Sequence, residues 1–318
     1  MKQLCAVFCV TFLFFTALNC DAYMIGGSGN QVQPEVARSE NSYIVVTENR
    51  QENDFTISSI LKYRIYDTNG NPLGSYHVIS SGGDYYANPV VECNGENYLI
   101  AWASKSKQIM GQFISLTGEQ IGSSFVIESD YLFMGFPNKV EIASDGFNYF
   151  VIYDVSYHAR ELFGRIVTSE TSISERIDIA RSNFVYDFSI ASNRYPYSDT
   201  YRTYLITWSE YPYNGGYYNV YGALYSSTGT PLVAKQQVNQ NNQYSYNNAN
   251  HVSVACNGYN YLVVWDDKQN NTGIKGRSII SYYPNGSNLY FYQNETCQIS
   301  HQSYYYILQF LYIQLQVL

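Results

Sequence analysis

The sequence has little basic charge and lacks most of the short motifs on which enzymes depend. Its 318 residues contain 18 Lys and Arg against 26 Asp and Glu, a formal net charge of -8. No basic stripe is available to neutralise a phosphate backbone, so we expect no nucleic-acid partner. The 4 histidines have no paired ligand spacing, and neither a GxSxG elbow nor a phosphate-binding glycine loop occurs. We therefore expect no metal and no cofactor.

Cysteine is scarce, and half of it lies in one N-terminal segment. Residues 1–22 combine Lys2, an apolar run and a small final residue, Ala22, which predicts a secretory signal peptide. An uncleaved membrane anchor is the alternative. Cleavage would remove 3 of the 6 cysteines and leave an odd number, which excludes a fully paired disulfide framework. We expect a secreted, extracellular protein without strong membrane association after signal removal.

The sequence is rich in one repeated motif. The stretch VACNGYNYLVVW, Val254 to Trp265, has altered copies at 36–47, 91–102, 142–153 and 190–208. The central tyrosines of the copies are 51 to 57 residues apart, and they are Tyr43, Tyr98, Tyr149, Tyr204 and Tyr261. This spacing is near the period of a propeller blade.

Each copy predicts four antiparallel strands. A short apolar stretch, a turn and the YLVVW-like run form one hairpin, and a glycine-containing strand with an apolar return strand forms another. Such sheets bury both faces only by stacking radially, which predicts an all-β fold, a β-propeller of about five four-stranded blades over residues 31–297. Consecutive β-sandwich modules and a piece of a larger repeat array are the alternatives. Residues 298–318 form an apolar, glutamine-containing tail of uncertain status.

The repeats resemble those of secreted β-propeller proteins whose blades read VAxxGxxYLVVW followed by IxGxxxxxxG, a family related in architecture to WD40 and Kelch propellers. Tryptophans at the end of the second strand and glycines in the third carry the resemblance: Trp102, Trp208, Trp265, Gly111, Gly164, Gly222 and Gly276. Copy one departs from the pattern, with Thr47 for the tryptophan and Tyr63 for the glycine. The resemblance implies the fold and secretion, and it implies no reaction.

Acidic residues accompany the first strand of several copies. They are Glu35, Glu92, Glu141 and Asp187. In a propeller that strand lines the central channel, and aligning the copies on their tyrosines places Glu35 and Glu141 at one level, on non-adjacent blades. Paired carboxylates at fixed separation suit glycoside hydrolysis. Ordinary rim residues are the competing interpretation, because no local motif surrounds these acids.

Tyrosine is the compositional outlier, with 35 residues. It concentrates in copy four, where the candidate ligand-binding residues are Tyr195, Tyr197, Tyr211, Tyr213, Tyr217 and Tyr218. Tyrosine offers a large contact area at low entropic cost and retains a polar tip, so these segments have the character of a recognition surface. A compositional bias that also enriches Asn and Gln is the alternative explanation.

Candidate modification and cation positions cluster near the C-terminal end. N-glycosylation sequons begin at Asn270, Asn285 and Asn294, in agreement with a secreted glycoprotein. Asp266 and Asp267 carry oxygens that suit calcium, but their surroundings lack the spacing of a defined calcium loop.

Repeats without a catalytic motif favour a secreted, non-enzymatic propeller that binds an extracellular protein or a carbohydrate through the copy-four tyrosines. The alternative is a five-bladed glycoside hydrolase that uses the channel carboxylates.

Overall fold

The computed structural model describes residues 30–53, 56–81, 88–104, 106–129, 137–156, 159–181, 184–194, 201–211, 216–239, 250–267, 273–280 and 297–299. Residues 1–29 and 300–318 lie outside this part, so the signal peptide and the nature of the C-terminal tail stay predictions. Within the described part of the chain, no helix is long and apolar enough to cross a membrane.

Five sheets follow one another along the chain. Blade 1 contains β1 (Asn30–Arg38), β2 (Ser42–Asn53), β3 (Thr56–Asp67) and β4 (His77–Ser81). Blade 2 contains β5 (Val90–Cys93), β6 (Asn97–Ala103), β7 (Ile109–Ser115) and β8 (Gln120–Glu128). Blade 3 contains β9 (Pro137–Ser144), β10 (Tyr149–Ser156), β11 (Arg160–Ser169), β12 (Ser172–Ile173) and β13 (Ile177–Ala180). Blade 4 contains β14 (Phe184–Ser192), β15 (Thr203–Tyr211), β16 (Asn219–Ser226) and β17 (Pro231–Gln237). Blade 5 contains β18 (Val252–Cys256), β19 (Asn260–Asp267), β20 (Gly273–Ile280) and β21 (Cys297–Ile299).

The predicted five-bladed β-propeller is confirmed. Every sheet is an antiparallel meander, and the first strands of blades 1 to 4 each contact the first strand of the following blade. Residues from all five blades line one central channel. Blade 3 differs in its outer strand, which is broken into β12 and β13, both paired with β11. The break lies at Ser174, whose hydroxyl accepts the Ile166 amide at 2.9 Å in place of a ladder carbonyl.

The apolar residues predicted for the second strands form the cores between blades. The central strand β15 is buried along nearly its whole length, as expected for a strand covered on both faces. Four hydrophobic clusters join blades 1 and 2, 2 and 3, 3 and 4, and 4 and 5. Trp102, Trp208 and Trp265 are all buried, so the motif tryptophans are packing residues. Cys93 is buried and Cys256 half-buried, and both thiols are free.

In blades 2 and 3, close packing requires the glycine of the third strand. A Cβ on Gly164 would lie 2.5 Å from the Phe150 ring, and one on Gly111 would lie 2.7 Å from the Phe125 ring. Blade 1 has Tyr63 at this position, and its ring stacks instead on His77 of the fourth strand, with centroids 5.1 Å apart. The departure of copy one from the repeat therefore has a packing explanation.

Four of the five motif tyrosines connect neighbouring blades. Each donates its hydroxyl to a carbonyl just before the corresponding tyrosine of the preceding blade: Tyr98 to Ser42 at 3.1 Å, Tyr149 to Asn97 at 2.7 Å, Tyr204 to Asn148 at 3.0 Å and Tyr261 to Thr203 at 2.7 Å. We call these hydrogen bonds the tyrosine latches. The fifth tyrosine, Tyr43, lies half-buried beneath the Arg38 guanidinium, 5.9 Å from its ring centroid, and forms no latch within the described part of the chain.

Candidate functional site

The central channel is a concave site to which all five blades contribute residues. It encloses about 430 Å³. Its walls come from the first strands and the turns that follow them, through residues in the segments 38–40, 92–95, 141–144, 189–194 and 254–258. We call the channel end at which the first strands begin the N-terminal rim, and the opposite end the C-terminal rim. Each rim carries charged side chains from more than one blade.

Strand register brings Glu35 and Glu141 to one level of the channel. Glu35 pairs with Val46, and Glu141 pairs with Ile152. Both partners are the third residue after the central tyrosine of their blade, as the aligned repeats predict. A register shift between Val32 and Glu35, with a positive φ of 51° at Gln33, interrupts the regular ladder just before Glu35.

Lys139 links the carboxylates of two neighbouring blades. Its Nζ lies 2.9 Å from Glu141 Oε1 and 2.8 Å from Asp187 Oδ1, and it also donates to the Phe188 carbonyl at 2.7 Å. Burial disfavours the ammonium ion, but the attraction of the two carboxylates outweighs it and raises the pKa of Lys139. Lys139 therefore remains charged and holds Glu141 and Asp187 in fixed positions.

Glu35 is the most strongly perturbed acid of the group. Burial by the surrounding protein, together with the charge of Glu141, raises the pKa of its carboxyl from 4.5 to about 7, against the smaller opposing effect of Lys139. The side chain is nevertheless exposed to solvent, which screens part of the desolvation. The pKa of Glu35 is raised because both burial and the charge of Glu141 disfavour the ionised carboxylate. Glu35 thus holds its proton to a higher pH than an ordinary glutamate.

Asp187 is fixed by neighbours in two blades. Its Oδ1 accepts the amide of Phe188 at 2.9 Å, and its Oδ2 accepts the amide of Val252 in blade 5 at 3.2 Å. With the contact to Lys139, the carboxylate joins blades 3, 4 and 5 at the N-terminal rim. This position follows from a bulge in β14 between Val185 and Asp187.

Two other aspartates each accept hydrogen bonds from backbone amides near the start of a first strand, one in blade 3 and one in blade 5. Asp154 is buried and accepts the amide of Lys139 at 2.6 Å, which fixes the backbone that carries the lysine. Asp266 accepts the amide of His251 at 2.7 Å and lies 3.0 Å from its Nδ1. The Asp266 carboxylate therefore has a structural role, and no group of three potential metal ligands occurs among the described residues.

Glu92 does not join the other three acids. It lies towards the C-terminal rim, where its Oε1 is 2.6 Å from Arg194 Nη2 and accepts the amide of Cys93 at 2.8 Å. Arg194 reaches it from blade 4 and also donates to the Cys93 carbonyl at 2.8 Å. The four acids thus divide into a group of three at the N-terminal rim and one ion pair near the other end.

The candidate tyrosines of copy four also divide between the two rims. Tyr211, Tyr217 and Tyr218 border the connection from β15 to β16, on the side of Asp187. Tyr195 and Tyr197 belong to the connection from β14 to β15, whose flanking strands end at the opposite rim, and lie outside the described residues, as does Tyr213. The sequon asparagines Asn270, Asn285 and Asn294 also lie outside them.

Sequence reasoning missed Lys139, Tyr186 and His251. Lys139 was detectable in principle, because a residue two before Glu141 on the same strand faces the same side. Tyr186 and His251 carried no such pattern, because a bulge and an inter-blade contact determine their positions.

No family model matches the sequence, and no curated protein matches it. Among solved structures, the family-93 α-L-arabinofuranosidase of Fusarium graminearum is 11% identical, with a TM-score of 0.45 over 78% of this chain and 77% of that one. An endo-arabinase of Bacteroides thetaiotaomicron is 10% identical, with a TM-score of 0.39 over 80% and 95% of the two chains. The cobalt-substituted ACO of Synechocystis is 9% identical, with a TM-score of 0.49 over 89% and 64%. Identities this low show similarity of fold alone.

The expectation of a non-enzymatic binding propeller is wrong. The solved structures similar to this chain include several glycoside hydrolases and no binding module among those named above. The physical reason for the error is that no local motif marks the channel acids, which meet only through strand register and inter-blade contacts.

Proposed function

We propose that the protein is a glycoside hydrolase in which Glu35 is the general acid and Glu141 is the partner carboxylate. The observation that carries the proposal is the unequal environment of the two groups in one channel. The pKa of Glu35 is raised to about 7 by burial and by Glu141, whereas Glu141 is ion-paired with Lys139 at 2.9 Å. Two carboxyl groups whose environments differ in this way can divide the acid and base roles.

The proposed reaction uses each group in a defined state. Glu35 donates its proton to the glycosidic oxygen as the bond to the anomeric carbon breaks. Glu141 acts as the partner carboxylate: it either attacks the anomeric carbon, giving a glycosyl-enzyme that water then hydrolyses with Glu35 as the base, or it removes a proton from the attacking water. Lys139 acts as a positioning residue through its contacts with Glu141 and Asp187.

Secretion belongs to the same proposal. A signal peptide over residues 1–22 would deliver the enzyme to extracellular polysaccharides, and the sequons at Asn270, Asn285 and Asn294 are compatible with that route. The repeat family suggested by VAxxGxxYLVVW remains a proposal as well.

A panel of chromogenic glycosides tests the proposal. The purified protein is assayed against aryl glycosides, including α-L-arabinofuranosides, and against plant and bacterial polysaccharides. We expect turnover of at least one substrate and a fall of about 10²-fold or more in kcat for Glu141→Gln, because the variant can neither attack nor activate water.

Glu119→Gln is the matched control, because Glu119 is an exposed acid in the turn between β7 and β8. We expect it to retain wild-type turnover. Absence of turnover across the panel, or equal turnover by wild type and Glu141→Gln, would refute the proposed glycoside hydrolase activity.

A further inference from the structure

An exposed aromatic cluster lies at the N-terminal rim. Tyr186 contacts Tyr218 with ring centroids 5.3 Å apart, and Tyr218 contacts Tyr211 at 5.2 Å. The ring of His251, from blade 5, lies 5.6 Å from Tyr186. We call Tyr186, Tyr211, Tyr218 and His251 the aromatic platform. Tyr186 is 39% exposed, so a ligand can reach the platform from solvent.

A backbone irregularity directs Tyr186 to this position. It is the extra residue of the bulge in β14, where Val185 pairs with Glu210 and Asp187 pairs with Ser209. A bulge places an additional residue on one strand and turns its side chain away from the regular alternation, a feature common beside active sites. Its carbonyl also accepts a hydrogen bond from Arg160 of blade 3. A large aromatic side chain is thus held outside the blade core.

The platform adjoins the carboxylate group directly. Tyr186 precedes Asp187, which contacts Lys139 at 2.8 Å, and His251 precedes Val252, whose amide donates to Asp187 at 3.2 Å. His251 is held by Asp266 at 3.0 Å. The aromatic rings and the carboxylates therefore share the N-terminal rim across blades 3, 4 and 5.

We propose that the aromatic platform binds a sugar unit next to the glycosidic bond that the carboxylates cleave, so that the substrate is an oligosaccharide or polysaccharide. The apolar C–H face of a sugar ring stacks on an exposed aromatic ring, and tyrosine hydroxyls hydrogen-bond sugar hydroxyls at its edge. A single-sugar aryl glycoside would occupy the carboxylate site without using the platform fully. This inference rests on the proposed hydrolase activity and extends it to chain-length preference.

Chain-length preference tests the inference. The ratio of kcat/KM for a hexasaccharide (arabinohexaose, xylohexaose or cellohexaose) to kcat/KM for the matching aryl monoglycoside is compared between wild type and Tyr218→Ala. We expect the ratio to fall about tenfold, which corresponds to the loss of one aromatic contact of about 1.4 kcal/mol. Tyr218→Phe retains the ring and should recover most of the ratio, which separates stacking from misfolding.

Tyr259→Ala is the matched control, because Tyr259 is 57% exposed but lies in the turn after β18, at the C-terminal rim. It should leave the ratio unchanged. If wild type hydrolyses the glycosides and Tyr218→Ala leaves the ratio unchanged, sugar binding by the aromatic platform is refuted, whereas the proposed hydrolase activity is supported. If no glycoside is hydrolysed, affinity electrophoresis with the same hexasaccharides still decides the platform: weaker retention of Tyr218→Ala supports it, and equal retention refutes it.

Discussion

Replacing Glu35 by glutamine should lower kcat/KM, which reports the cleavage of the glycosidic bond, about 10²- to 10⁴-fold on glycosides with poor leaving groups, the usual contribution of a general acid. The same variant should lose less than about tenfold on a glycoside with a dinitrophenolate leaving group, because that group departs without being protonated. The difference between the two substrates is the diagnostic result. A larger loss on the poor leaving group shows that Glu35 donates a proton. The loss of a substrate-binding contact would instead lower activity on both substrates alike.

The comparison requires a variant that lacks the other carboxylate. Glu141→Gln should lose activity on both substrates, since the partner carboxylate is needed whichever group leaves. Glu119→Gln should lose it on neither. Equal losses for Glu35→Gln on the two substrates would show that Glu35 is not the acid, even if the protein proves to be a glycosidase.

Replacing Tyr204 by alanine should lower the free energy of unfolding by about 3–5 kcal/mol, the cost of truncating a fully buried aromatic side chain. Its ring packs edge-on against Phe150, with centroids 5.3 Å apart, and its hydroxyl latches blade 4 to blade 3 at Asn148, 3.0 Å away. Tyr204→Phe removes only the hydroxyl and should cost about 1–3 kcal/mol, because the Asn148 carbonyl and the Asp145 amide then lose a buried partner. Urea unfolding followed by tryptophan fluorescence measures both.

Tyr43 provides the internal comparison for the latches. It occupies the same repeat position but is half-buried and forms no latch within the described residues. Tyr43→Phe should therefore change the unfolding free energy by less than about 0.5 kcal/mol. If Tyr43→Phe and Tyr204→Phe destabilise equally, the latches do not hold the blades together.

The repeat predicted the blades well because its information is local. Alternating apolar residues, turn glycines and a buried tyrosine recur in each copy, and each of these features acts within one hairpin or against the next blade. The alignment on tyrosines even reproduced the strand register, in which Glu35 and Glu141 occupy equivalent levels. Period-two alternation then decides which side chains face the channel.

The candidate site was harder to predict from the sequence because its contacts join different blades. Lys139 meets Asp187, and Asp187 meets Val252, between strands far apart in sequence. No residue type or short motif in the sequence marks the bulge that displaces Tyr186. Glu92 shares with the other acids a place on the first strand of its blade, but Arg194 holds it towards the other rim. The binding interpretation is wrong for the same reason, since it relied on the absence of a local motif around these acids.

The pH dependence of kcat/KM tests the central claim most directly, because it reports the ionisation of groups essential in the free enzyme. Glu35 must be protonated to act as the acid, and burial with the charge of Glu141 raises its pKa to about 7. Activity should therefore fall as the pH rises through about 7, and Glu35→Gln should remove that alkaline limb from its residual activity. Activity that stays constant through about pH 9, or an alkaline limb that persists in Glu35→Gln, would contradict the account.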